Sequence, residues 1–345
     1  MLRRLTDLFR RRRPRRGEVV VVTGASAGVG RAVAEEFARH GARVAVLARS
    51  KARLDDVCER LRELGGEGLP IVCDVADANA VEAAAAQVES TFGPIDIWIN
   101  SAMVTVYAPV DVTTPEEYRR VTEVSYLGTV HGTQAALRRM RSRGRGTIVQ
   151  VGSALAYRAI PLQSAYCAAK FAVRGFTDAL RVELMHDRCP IDLTMVQLSA
   201  FNTPQFDWAR NKTGERAQPV PPIFQPEVAA RGIHFAAYAR RREVCVGFPA
   251  VKAILGNGVA PWYADRVLAR QGYDGQNTGE RRTPRPDNLD DTVPDPVGAH
   301  GRFDDVARRH SWQLAFTMHR TAIAAIAAAT AAAACFARQA TRNRD

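Results

Sequence analysis

The feature that most constrains this chain is a regular alternation beginning at Glu18. Short apolar runs at 19–22, 43–48, 69–72, 95–99, 147–151, 191–196 and 243–246 read as strands. Between them, helical patterns occupy residues up to about 40, then 51–64, 79–92, 115–140 (bent near Gly128), 164–185 and 226–238. The first run, Val19-Val20-Val21-Val22, is apolar without alternation, as a strand buried on both faces requires. Strands that alternate with helices predict right-handed crossovers and an α/β doubly wound parallel sheet. Such sheets bind ligands at the carboxyl ends of their strands. Gly24–Gly30, Arg49, Asp74, Asn100, Ser153 and the stretch 198–203 all fall at those ends.

The turn after the first strand reads Thr23-Gly24-Ala25-Ser26-Ala27-Gly28-Val29-Gly30. A glycine-rich turn that opens a helix presents backbone N–H groups at the positive end of the helix dipole, where a pyrophosphate sits well. The same turn could also be a tight connection with no ligand. Further along, Tyr166-Cys167-Ala168-Ala169-Lys170 places a phenol and an ammonium one helical turn apart. A free tyrosine has a pKa of about 10 and is a poor base at neutral pH. A nearby lysine cation is expected to favour the phenolate, and Ser153 could hold a carbonyl oxygen while Tyr166 passes a proton. Such a pair also occurs by chance, but lysine is rare here, at only 51, 170, 212 and 252. Arginine supplies most other cations, and a compact ammonium is not equivalent to a planar guanidinium.

From about Glu18 to Gly247 the sequence resembles the short-chain dehydrogenase/reductase family. Thr23-Gly24-x-x-x-Gly28-x-Gly30, Asp74-Val75, Asn100-Ser101-Ala102-Met103, Ser153 and Tyr166-x-x-x-Lys170 carry the resemblance. It implies a Rossmann-fold catalytic domain with Tyr166 as general acid/base. Lys170 is then expected to lower the tyrosine pKa and bond the nicotinamide ribose, and Ser153 to position the substrate oxygen. Thr23, Gly24, Ser26, Gly28, Val29 and Gly30 would surround the cofactor phosphates. Asp74 and Val75 would meet the adenine, Asn100 and Ala102 would line the ribose, and Thr203 would contact the carboxamide. Three departures stand out. Ser101 and Met103 replace Asn and Gly, and Leu198-Ser199 replaces Pro-Gly. Ser125 stands where the family usually has an asparagine supporting the proton relay, and is expected to bind that water with one hydroxyl.

The second strand ends Val46-Leu47-Ala48-Arg49, with no acid before the helix. An acid there would bind the ribose of NAD, whereas arginine fits a 2′-phosphate, so NADP is expected over NAD. The leading expectation is an NADP-dependent oxidoreductase acting on a secondary alcohol/ketone pair, with a lipophilic small-molecule substrate. The alternative is an NADP-binding sensor or scaffold without turnover. The loop 204–226, with Phe206 and Trp208, is expected either to cover the substrate or merely to anchor to the body. The resemblance also implies a homodimer or homotetramer formed through the helices 115–140 and 164–185.

The net charge of +12 raises nucleic acid as a partner, but residues 1–17 hold eight arginines and one aspartate. The basic character is therefore concentrated in an arm, read as disordered or in weak contact with anionic lipid, and no nucleic-acid partner is expected. The cysteines at 58, 73, 167, 189, 245 and 335 have no C-x-x-C spacing, which argues for reduced thiols in the cytoplasm and no metal site. Domain boundaries are expected at 18–250 for the catalytic domain, 251–272 for a helical extension, 273–310 for a flexible linker and 311–345 for an alanine-rich helix. Within the last, 321–337 is apolar but short for a span. Membrane insertion or interfacial association, docking as a soluble helix and disorder all stay open for it.

Overall fold

A computed structural model describes residues 12–294 and 298–320, with positions 323 and 330. The apolar runs form seven parallel strands: β1 (Val19–Thr23), β2 (Arg43–Ala48), β3 (Glu67–Val72), β4 (Ile97–Asn100), β5 (Gly146–Ser153), β6 (Ile191–Leu198) and β7 (Glu243–Val246). They lie in one sheet in the order β7-β6-β5-β4-β1-β2-β3. The order reverses between β1 and β4, and this switch point opens a crevice at the carboxyl ends.

Side chains of β1 leave the sheet alternately. Val20 and Val22 join a core with helices α1 (Gly28–Arg39) and α2 (Lys51–Glu63). Val19 and Val21 join the opposite core, with α3 (Ala78–Phe92). Helices α4 (Pro115–Thr122), α5 (Gly128–Arg143) and α6 (Ser164–His186) also cover that second face. Helix α7 (Pro226–Ala239) covers the first. Both faces of every central strand are thus buried, as the unbroken apolar runs require.

The expected bend near Gly128 is a π-helical turn at Glu123–Leu127 joining α4 to α5. Beyond the sheet, α8 (Phe248–Val259) and α9 (Pro261–Gln271) meet where Pro261 starts a new helix. Residues 312–320 are helical, while the apolar stretch 321–337 lies almost wholly outside the described residues. Among the described residues, no helix is long and apolar enough to cross a membrane.

Two expectations are corrected. Residues 12–17, read as part of a disordered arm, are docked on the sheet's amino edge. Arg12 pairs with Glu18 and lies 3.9 Å from Asp96. The Arg15 amide donates to Glu18 at 3.2 Å and the Tyr238 hydroxyl donates to it at 2.7 Å. A carboxylate as buried as Glu18 needs that company, which composition alone does not reveal. Secondly, 273–310 is no flexible linker. Asn277–Arg281 pairs antiparallel with Glu215–Ala217, and Leu289, Val293 and Phe303 are buried anchors. Irregularly spaced anchors leave no period to read.

Arg12→Ala removes the cation beside a buried carboxylate. It should lower the free energy of unfolding in urea by about 2 kcal/mol, below the cost at a fully dry site because Arg12 is partly exposed. An unchanged urea midpoint would return Arg12 to a solvated arm.

Candidate active site

A cavity of about 1080 Å³ runs along the carboxyl ends of β1, β2, β5 and β6. Gly24 turns the chain out of β1 at φ +68°, and a Cβ there would lie 2.6 Å from the Ala102 Cα. A Cβ on Gly30 would lie 2.2 Å from the Gly24 carbonyl oxygen. Glycine at both places lets the turn fold tightly against α1 and brings backbone to the cavity wall. No side chain caps α1, whose N-cap is Ala27, and no acid occupies its first turn. The Gly28 amide donates to the Gly298 carbonyl at 3.2 Å, and the rest of the helix start fits a dinucleotide's phosphates. Ser26, Gly28 and Val29 line the cavity beside it.

The other end of the cavity holds Ser153, Tyr166 and Lys170. Ser153 ends β5, Tyr166 lies in the first turn of α6, and Lys170 follows one turn later; all three line the cavity. Burial raises the Tyr166 phenol well above its ordinary value, the adjacent Cys167 adds to the rise, and a hydrogen bond with Ser153 opposes it. The expectation that Lys170 lowers the tyrosine pKa is not met. The Lys170 Nζ stands 5.5 Å from the Tyr166 ring centroid. Its acceptor among the described residues is the Val151 carbonyl, at 2.8 Å. An ammonium carries three donors, so a buried lysine with one protein acceptor suits a ribose hydroxyl pair.

Of the remaining expected contacts, Ala102, Thr203 and Val75 line the cavity. Asp74 lines it too, accepting from the Ala76 amide at 3.0 Å and from Arg120 at 2.6 Å. Burial pushes its carboxyl up, but these two partners outweigh burial and hold it below the ordinary value. Arg49 also lines the cavity, yet its guanidinium donates to main-chain carbonyls of residues 288 and 290, each at 2.6 Å.

Three expected site residues have structural work instead. The Thr23 hydroxyl accepts from the Ser101 and Ala102 amides at 3.0 and 3.1 Å, tying β1 to the loop after β4. The Asn100 amide accepts from the Trp98 indole at 2.8 Å and donates to Gln150 and Thr133 at 2.9 and 3.1 Å. With those bonds made, it turns into the core rather than toward the ribose. The Ser125 hydroxyl donates to the Val104 carbonyl at 2.9 Å and accepts from its amide at 3.0 Å. Its one donor is spent, so it pins that loop and has none left to give a relay water.

The sequence reading missed Arg120, Tyr107 and residues 288–293. Arg120 sits in an amphipathic helix, where an arginine is unremarkable, and nothing local marks it. Tyr107 is fully buried and lines the cavity, and its hydroxyl has no hydrogen-bond partner among the described residues.

Burial lowers the Lys170 ammonium from 10.5 to about 8. The folded chain then holds this proton less tightly than the unfolded chain. The cost to stability is full below about pH 8 and fades as pH rises toward 10.5. In dinucleotide-free protein, Lys170→Met should therefore resist urea better than wild type at pH 7, on the order of a few kcal/mol. That advantage should shrink through this window; a pH-independent difference would rule out a buried charge.

The short chain dehydrogenase family matches this chain over residues 18–213. An uncharacterized oxidoreductase of Bacillus subtilis, YxnA, is 31% identical over 270 residues, covering 78% of this chain and 76% of the relative. Among solved structures, an alcohol dehydrogenase of the archaeon Thermococcus sibiricus, complexed with 5-hydroxy-NADP, superposes with a TM-score of 0.58 at 25% identity. The match covers 66% of this chain and 95% of that one. A short-chain type dehydrogenase/reductase of Mycobacterium marinum gives 0.57 at 27% identity, covering 67% and 94%. A sequence match over more than half the chain, on a doubly wound sheet with its cavity at the switch point, has one meaning: the chain belongs to the short chain dehydrogenase family.

Proposed function

We propose that this protein is a nicotinamide-dependent oxidoreductase that interconverts a secondary alcohol and a ketone, with Tyr166 as the general acid/base. The observation that carries the reading is one cavity with a glycine-rich helix start, which carries no side-chain cap among the described residues, at one end and Tyr166, Ser153 and buried Lys170 at the other. A bound nicotinamide supplies or accepts the hydride. In the reducing direction, Ser153 holds the carbonyl oxygen and the Tyr166 hydroxyl gives it a proton. The phenolate left behind would face the Lys170 ammonium, whose Nζ stands 5.5 Å from the Tyr166 ring centroid. In the oxidising direction the same groups take the proton back.

The preference for NADP rests on Arg49. Its charge is met by neutral carbonyls rather than by a direct carboxylate partner, which leaves attraction for a 2′-phosphate. The substrate end is largely apolar, with Leu155, Ile160, Phe206 and Leu268 along it, which suits a lipophilic molecule. Exposed Phe171, Val182 and Met185 share one face of α6 and favour a second copy docking there.

NADPH oxidation with a panel of lipophilic ketones tests the reading. Tyr166→Phe should cut kcat by ~10²–10⁴ while NADPH still binds. Full turnover in that variant, or NADPH binding without turnover of any ketone, would overturn it.

A further inference from the structure

Beyond the last sheet strand the chain lines the cavity with residues between 249 and 276 and again with Asn288, Thr292 and Val293, while 298–304 packs against its rim at the start of α1. The stretch 287–293 crosses the adenosine side. Arg49 donates to the Asn288 and Asp290 carbonyls at 2.6 Å each, and Arg120 donates to the Leu289 carbonyl at 3.1 Å. Leu289 is fully buried in the same core as Val75 and Val124, and the Val293 carbonyl accepts from Arg53. The stretch 298–304 crosses the start of α1. The Gly28 amide donates to the Gly298 carbonyl at 3.2 Å, and the Gly301 amide donates to the Asn202 carbonyl at 3.3 Å. A Cβ on Gly301 would lie 2.5 Å from the Thr203 carbonyl oxygen, so only glycine lets the chain pass this close to the expected carboxamide contact.

These stretches do not fill the cavity. Asn288, Thr292 and Val293 line it together with Gly28, Asp74 and Lys170. The space remaining, about 1080 Å³, lies at or above the upper end of ordinary small-ligand pockets of ~300–1,000 Å³. It has room for a dinucleotide and a substrate together. The stretches are also tied to the substrate loop: Arg210 pairs with Asp287 and Asp290, both at 2.9 Å, and the Asn288 amide donates to the Trp208 carbonyl at 3.0 Å.

The geometry points to residues 287–293 and 298–304 as an added wall of the dinucleotide site, which retains the cofactor by closing over its adenosine and pyrophosphate. This rests on the dinucleotide reading above and extends it to residues that lie beyond the matched family segment. Opening this wall would expose Leu289 and release the carbonyls held by Arg49 and Arg120. By linkage, whatever the wall contributes to holding the dinucleotide, the dinucleotide contributes equally to holding the wall.

The test uses the full chain loaded with NADPH and chased with excess NADP, with release read by loss of NADPH fluorescence. Arg210→Ala and Asp287→Ala loosen the wall from outside the cavity, and each should speed release tenfold or more. Backbone hydrogen exchange in 287–293 of the wild type should slow when NADPH is added, a readout that does not depend on either variant folding. Equal release rates in folded variants, or exchange unchanged by NADPH in a chain that binds it, would overturn the inference. NADPH binding by the variants but not by wild type would also overturn it, because the stretches would then shut the site. Binding by none of the three would sink the dinucleotide reading itself.

Discussion

A parallel sheet covered on both faces has only its strand ends free for chemistry. That constraint organises this molecule. The helices needed to bury Val19 through Val22 from both sides also remove both faces of the sheet from solvent. What remains is the carboxyl edge, where strand ends point backbone and loops toward one crevice and the start of α1 contributes its dipole. The glycine turn, Ser153, Thr203 and the head of α6 meet there because the topology permits few other places.

Holding such an edge open requires polar groups that never touch a ligand. Thr23, Asn100 and Ser125 each stand beside the crevice, and each spends its hydrogen bonds on the frame. Thr23 fixes the loop after β4 to β1, Asn100 ties β4 to β5 and α5, and Ser125 holds the main chain at Val104. A buried polar side chain must be satisfied, and satisfying it decides which way it faces. Lys170 is the contrast. It is as deeply buried as these, yet among the described residues it has one acceptor, the Val151 carbonyl, and burial lowers its ammonium to about 8.

The C-terminal segment follows the same logic from outside. It is rich in Pro, Gly and Asp and has no repeating apolar pattern, yet arginines from α2, α4 and the substrate loop collect its carbonyls and carboxylates. Four anchors, Leu289, Val293, Ala299 and Phe303, give it a buried footing. Irregular chain becomes ordered here because its polar backbone finds fixed donors, with no need for secondary structure.

The sequence by itself determined the sheet, its parallel sense, the glycine turn and the Tyr166–Lys170 pair. Those features are local, written as apolar runs, glycine spacings and a one-turn interval, and local signals survive without three-dimensional context. The sequence left Asn100, Thr23 and Ser125 looking like ligand contacts, and left 273–310 looking like a tether. Only the tertiary structure decided these, because each depends on a partner far along the chain: Gln150 for Asn100, Ala102 for Thr23, Val104 for Ser125, Arg49 for residues 288–290. A hydrogen bond across 240 residues leaves no periodic trace. It exists only once the sheet has brought its two ends together.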